Sequence, residues 1–299
     1  MKTMLKHSQY PGFPRMGGLS HIGLFVKDIG ASLVFYRDFL GFEEQFQLTE
    51  PDGSLALKFM KINDRQFVEL FPERSPGDDR LFQVAFIVED AEAMRRHLSD
   101  KGFEVPEKVK TGRIGNLNFS IKDPDGHVLE FVQYTPAGWT LQDAGKHLPQ
   151  RRMSARLKHI GFCVQSLEKS LPFYRDVLGC TEIWRGSSDG QRLSWVNMKL
   201  PDSDDYLELM MYYEPLSLER KGSVNHMSLE VDDVPLAVDE LGKRSAEGFY
   251  DKPITRKVGI NRKRQCNLFD PDLTRAELME PWTIDGMSPP WFEPAEARP

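Results

Sequence analysis

The chain has 299 residues, 40% of them hydrophobic, and a formal net charge of -6. That length predicts two domains, and the mild negative charge argues against nucleic acid or an anionic membrane as partner. Three scattered cysteines, no C-x-x-C and no apolar run of the roughly 18–20 residues that a span needs exclude a disulfide scaffold, a cysteine zinc site and a transmembrane chain. Residues 1–18 read as a tail broken by Pro11, Gly12 and Pro14, without a secretory apolar core. The expectation is a soluble, cytoplasmic protein.

At residue 19 a pattern begins that returns later. "LSHIGLFVKDIGASLVFYRDFLG" (19–41) aligns without gaps to "LKHIGFCVQSLEKSLPFYRDVLG" (157–179). The match predicts an internal duplication. Each copy opens on a strand, "HIGLFV" or "HIGFCV". A helix follows, with Ile29, Leu33, Tyr36 and Leu40, or Leu167, Leu171, Tyr174 and Leu178, at helical spacing. Asp28 and Ser166 stand where N-caps belong, and Gly41 and Gly179 where helices end. Further strands follow in "LALKFMKI" and "FVELF", and in "LSWVNMKL" and "DYLELMMYY".

Two weaker units share this plan. "LFQVAFIVED" leads into helical "AEAMRRHLSDKG" and ends in "DPDGHVLEFVQY". "VNHMSLEVDD" leads into "VPLAVDELGKRSAEG" and ends in "DPDLTRAELME". The chain therefore reads as α+β, with four βαβββ units at 19–73, 80–134, 157–214 and 223–281. They pair into two cup-shaped mixed-sheet domains, 19–134 and 157–281, joined by a linker at 135–156. The proline-rich tail 282–299 reads as irregular and packed through Trp291 and Phe292.

Each unit places one polar residue in its first strand and a glutamate in its last: His21 and Glu69, Gln83 and Glu130, His159 and Glu208, His226 and Glu277. A lone strand histidine is usually a satisfied core residue, and a lone strand glutamate usually faces solvent. Eight positions in register across four units argue otherwise. Strand alternation puts Phe67, Glu69 and Phe71 on one face and Val68 and Leu70 on the other. One face would pack on a helix and the other would line a cup. Carboxylates there are costly unless paired or bound to a cation. His159, Glu208, His226 and Glu277 thus predict a metal site in the second half. His21, Glu69, Gln83 and Glu130 are its counterpart in the first, weakened by the neutral amide. Trp184, Trp195, Met210, Met211 and Tyr212 could line a ligand pocket or simply fill core. His7, His97, His127 and His147 read as surface residues of a tail, a helix, a turn and the linker.

These motifs together resemble the vicinal-oxygen-chelate superfamily, which includes glyoxalase I, methylmalonyl-CoA epimerase, extradiol dioxygenases and antibiotic-resistance proteins. The resemblance covers 19–281. It implies paired modules forming an open cup around a divalent ion (Zn, Ni, Co, Mn or Fe(II)) and a small substrate with vicinal oxygens. Two extradiol features are missing. Asn267 stands at the tyrosine position ahead of Asp270-Pro271, and 259–261 are Gly-Ile-Asn with no histidine. A His-Glu-His-Glu set instead resembles bacterial glyoxalase I and the epimerases, which implies a lyase or isomerase that removes a proton beside a chelated carbonyl. Glu208 or Glu277 is then the base. An Fe(II) dioxygenase and a non-catalytic aromatic or antibiotic binder remain the alternatives. Four modules can complete two cups in one chain, so a monomer is as feasible as a homodimer.

Overall fold

The computed structural model describes residues 13–77, 79–214 and 216–293. His7 lies outside them. Two eight-stranded mixed sheets dominate. The first runs β2 (Glu43–Thr49), β3 (Leu55–Lys61), β4 (Phe67–Pro72), β1 (Met16–Val26), β5 (Leu81–Val88), β8 (Val128–Gln133), β7 (Leu117–Lys122) and β6 (Lys110–Thr111). The second repeats that order as β10 (Thr181–Gly186), β11 (Trp195–Lys199), β12 (Tyr206–Met211), β9 (Leu157–Val164), β13 (His226–Glu230), β16 (Arg275–Thr283), β15 (Lys263–Phe269) and β14 (Thr255–Val258). Each sheet joins two βαβββ units antiparallel along their first strands, β1 with β5 and β9 with β13. Within each unit, first and last strands pair in parallel. The cup-shaped two-domain α+β architecture expected from the repeat is the one observed.

Strand alternation assigns the faces. Ile22, Leu24, Ile160 and Phe162 are fully or almost fully buried in one apolar core that continues through both halves. His21 and His159 face the cups. Helix Ile29–Leu33 starts on Asp28, whose carboxylate accepts from Ala31 N at 3.1 Å. Ser166 occupies the equivalent cap position but its hydroxyl makes no capping bond. Both helices then widen into π-helical turns, Val34–Phe39 and Phe173–Val177. These turns carry the consecutive pairs Phe35–Tyr36 and Phe173–Tyr174, and all four rings are buried. Gly41 (φ 78°) and Gly179 (φ 74°) close these turns in the left-handed region, as their place in the repeat predicts.

Other sequence expectations need correction. The first strand begins at Met16, inside the predicted tail. Segment 135–156 is not a free linker. It carries a short helix, Trp139–Gln142, and caps the buried Lys61, whose ammonium donates to Lys146 O (2.6 Å) and Asp143 O (3.3 Å) and pairs with Asp64 (2.9 Å). A fully buried ammonium requires such partners. His97 Nε2 lies 2.8 Å from Val177 O across the domain boundary, and His127 packs on Phe162 and Asp123. Both are interface residues, because the helix and turn that carry them pack on the opposite half. His147 is exposed and bonds to Asp143. The C-terminal segment returns to β10, where Phe292 N donates to Arg185 O and Trp184 Nε1 to Pro290 O.

Candidate metal centre

The register brings all eight predicted residues to two places, four to each. In the second cup β9, β12, β13 and β16 lie side by side, so His159, Glu208, His226 and Glu277 project from four neighbouring strands. The Nε2 atoms of His159 and His226 are 3.0 Å apart. Glu277 Oε2 is 3.6 Å from His159 Nε2, and Glu208 Oε1 is 3.6 Å from His226 Nε2. Ligating atoms of His159, Glu208 and His226 all fall within 4.8 Å of one another. The glycine of each "HIG" makes this possible. A Cβ on Gly161 would overlap the His226 ring, and one on Gly23 would come within 2.7 Å of Gln83 Cγ.

Burial, and then the Arg275 charge, hold His226 well below its ordinary pKa; the same two causes depress His159. Burial also pushes the Glu208 carboxyl up to about 8, with the Glu277 charge adding to it. Val224 O lies 2.9 Å from His226 Nδ1 and accepts from Arg275 Nη2 (3.2 Å), so backbone and guanidinium together hold the ring with Nε2 toward the cup. Two neutral imidazoles and two carboxyl groups therefore meet at the floor of the cup, with His159, Glu208 and His226 close enough to share one ion and Glu277 beside His159. That donor set fits a divalent cation, and it has the nitrogen–oxygen composition of an open six-coordinate site. No cysteine lies among them.

The first cup is organised differently. His21 Nε2 is 3.0 Å from Glu130 and 3.4 Å from Glu69. The Gln83 amide lies between them. Its nitrogen is 2.8 Å from His21 Nε2 and donates to Glu130 (3.2 Å) and Glu69 (3.3 Å). A relay fixes the imidazole. Tyr134 donates to Arg65 O (2.7 Å) and accepts from Ser20 (2.8 Å), and Ser20 Oγ lies 3.0 Å from His21 Nδ1. Burial pushes Glu69 up to about 7, opposed by His21. Burial also lowers His21, but Glu69 and Glu130 outweigh it and its pKa is raised. In this cup a protein donor occupies the middle of the polar set.

The sequence reading missed the rest of the second cup. Arg275 lies two residues before Glu277, on the same strand face, and its guanidinium rests 2.5 Å from His226 Nδ1. Asn197 pairs with Glu208 across strands and Asn267 with Glu277, and both amide oxygens are buried without a partner. The i, i+2 rule applied to "RAE" would have found Arg275. The asparagines become visible only through cross-strand register. A cavity of about 270 Å³ lies above the set, walled by Trp184, Trp195, Lys257, Gln265 and Arg275 with Glu208 and Glu277 at its base. Of the predicted pocket residues, Trp184 and Trp195 line it; Met210, Met211 and Tyr212 do not.

Comparison with known proteins agrees with this architecture. Residues 18–131 and 156–291 match the Glyoxalase/Bleomycin resistance protein/Dioxygenase superfamily. The chain belongs to this superfamily. Lactoylglutathione lyase of Schizosaccharomyces pombe is 22% identical over 308 aligned residues, covering 88% of this chain and 96% of the lyase. A Mn(II)-bound glyoxalase from Novosphingobium aromaticivorans superposes with a TM-score of 0.67 at 18% identity, over 90% of this chain and 83% of that one. A variant of homoprotocatechuate 2,3-dioxygenase from B. fuscum gives 0.68 at 16% identity, over 89% and 72%. The superfamily member thus shares one fold with both lyases and dioxygenases, whose chemistries differ. Among the described residues, no helix of this chain is long and apolar enough to cross a membrane.

Proposed function

We propose that the chain is a divalent-metal-dependent lyase or isomerase whose active site is the second cup. The observation that carries this reading is the convergence of His159, Glu208, His226 and Glu277 at the buried floor of the cup, with both imidazole Nε2 atoms directed inward. These four side chains would hold the ion. When bound, it supplies Lewis acidity to a substrate carbonyl and fixes two vicinal oxygens.

The residues of this chain do the proton work. Glu208 is the base in our reading: both glutamates border the cavity, and its side chain is the more exposed, 13% against 7% for Glu277. It takes the proton from the carbon next to the carbonyl, and the electron pair left behind delocalises into that carbonyl. Glu208 returns the proton to the neighbouring carbon while the hydroxyl proton passes between the vicinal oxygens, so no oxidant is consumed; return to the opposite face would fall to Glu277. Arg275 and Lys257 supply positive charge beside the developing anion, and Trp184 and Trp195 form a dry wall that strengthens it. The histidine and tyrosine that the extradiol motif carries ahead of Asp-Pro are not found in this chain's 259–267 segment. Asn267 flanks Glu277, and Gly259, Ile260 and Asn261 form the cavity wall.

The test is solvent exchange. The metal-reconstituted protein in D2O is offered 2-hydroxy carbonyl compounds, including the hemithioacetal of methylglyoxal and glutathione, and deuterium at carbon is followed by NMR. Exchange that disappears in Glu208→Gln, with metal retained, supports the reading. Oxygen uptake with catechols by the iron-loaded protein, and no exchange with any compound, would replace it with the dioxygenase alternative.

A further inference from the structure

The first cup keeps the polar floor of the second but has a different interior. At the position facing the last-strand glutamate, Asn197 of β11 is matched by Phe59 of β3. Two residues beyond that glutamate, Met210 is matched by Phe71, and two before it Tyr206 is matched by Phe67. Leu57, Phe59 and Phe67 form an apolar cluster separate from the main core, with Phe71 and Ile114 packed on it. Phe71 and Phe82 meet edge to face at 4.8 Å. These rings border a cavity of about 440 Å³, the size of a small-ligand pocket, directly above His21, Glu69, Gln83 and Glu130. Phe59 and Phe67 are buried, whereas Phe71 and Phe82 are half-buried, with the Arg74 guanidinium 5.4 Å from the Phe82 ring, so a flat apolar group entering the cup would complete their burial.

The mouth carries the opposite character. Lys110 pairs with Asn118 across β6 and β7, two residues from Ser120, which pairs with Glu130; the register therefore places Lys110 on the cup face. Arg113, in the adjoining turn, donates to Thr49 O at the end of β2 and so bridges the two walls of the cup. Both cations line the cavity. Glu69 and Glu130 at the floor accept from Gln83, so the polar set is satisfied by the protein itself.

We propose that the first cup is a separate binding site for a flat aromatic carboxylate, held without a metal ion. The ring lies against Phe71 and Phe82, the carboxylate meets Lys110 and Arg113, and a hydroxyl at the far end of the ring can donate to the floor glutamates. The proposal stands independently of the reading of the second cup.

The experiment is isothermal titration of the full chain, treated with EDTA, with 4-hydroxycinnamate as probe. One site per chain is expected, with affinity unchanged within about twofold on adding divalent metal or in His226→Ala. The uncharged 4-hydroxycinnamide and the variant K110E/R113E, two exposed positions whose fold is checked by circular dichroism, should each bind at least about tenfold more weakly. Absence of binding at millimolar probe overturns the proposal. So does binding that requires metal, binding lost in His226→Ala, equal binding of the amide, or indifference to K110E/R113E.

Discussion

Gly161 lies directly beneath the imidazole of His226, so that a Cβ added there would sit 2.6 Å from Nδ1 and 2.8 Å from Nε2. The glycine of "HIG" is therefore part of the site: it leaves the space that a ligand from the neighbouring unit fills. Gly161→Ala must displace that ring, since the contact is with a buried imidazole between two strands. The expected result is a metal affinity at least about tenfold lower and a stability loss of about 1–3 kcal/mol from overpacking. Metal titration and urea denaturation check both. Retained affinity would mean that His226 does not serve as a ligand in the observed rotamer.

The two halves lock together through a reciprocal pair. Tyr36 of the first unit donates to Asp270 of the fourth at 2.9 Å, and Tyr174 of the third donates to Asp123 of the second at 2.7 Å. All four groups are buried. Tyr36→Phe leaves a buried carboxylate short of a donor, and a loss of about 1–3 kcal/mol follows. Tyr174→Phe should cost a similar amount. The two pairs share no partner, so the double variant should be additive within about 0.5 kcal/mol. Urea midpoints of the three variants measure this. Strong non-additivity would show that the two pairs are energetically coupled through the interface they share.

Much of this was readable from periodicity and repetition. The four units, the strand faces and the eight polar positions follow from "HIG", "FVELF", "DPDGHVLEF" and the rule that side chains alternate along a strand. The reciprocal tyrosine–aspartate pairs were not readable, although "FYRD" and "DPD" both recur. No local pattern tells that a helix of one unit meets a turn of the opposite half. The π-helical turns escaped for a related reason. The 3.6-residue spacing of Ile29, Leu33, Tyr36 and Leu40 fits a plain helix, and nothing in that spacing signals an extra residue. Lys61 was hidden because a lysine in "LALKFMKI" looks like a solvent-facing residue. It is buried because Asp143 and Lys146, more than eighty residues away, supply its acceptors.

Burial raises the Asp270 carboxyl from its ordinary value to about 6, whereas the matching Asp123 is held low: burial raises it, but His127 and Tyr174 overcome that. The sign for Asp270 follows from linkage. The folded state holds a proton that the unfolded chain releases near pH 4, so this group favours folding below about pH 4, and that contribution is lost as pH rises through about 6. Over that window it amounts to about 3 kcal/mol. In Asp270→Asn, which keeps an acceptor for the turn amides of Asp272 and Thr274, the contribution becomes independent of pH. The stability of the variant relative to the parent should therefore be about 3 kcal/mol more favourable at pH 7 than at pH 4. Chemical denaturation at both values checks it, and a difference that does not change with pH removes Asp270 as the titrating group.

Gln83 and His226 occupy equivalent positions on β5 and β13, and they set the chemistry of the two cups apart. In the first, an amide donates to two glutamates and lies 2.8 Å from a histidine. In the second, two imidazole Nε2 atoms lie 3.0 Å apart with no amide between them. Replacing Gln83 with histidine removes the donor and leaves His21, Glu69, Glu130 and the new imidazole facing one point above Gly23, the counterpart of Gly161. Without a cation, two carboxylates and two imidazoles in that space repel or must take up protons, so the variant should be less stable than the parent by about 2 kcal/mol when metal is chelated. With divalent metal present, the stability should return by mass action, and the metal content of the chain should rise by about one ion. Elemental analysis of Gln83→His, and of the same variant carrying His226→Ala, separates the cups. One ion in the double variant means that the new set binds by itself. None means that the difference between the cups lies beyond this residue, in the phenylalanines that surround it.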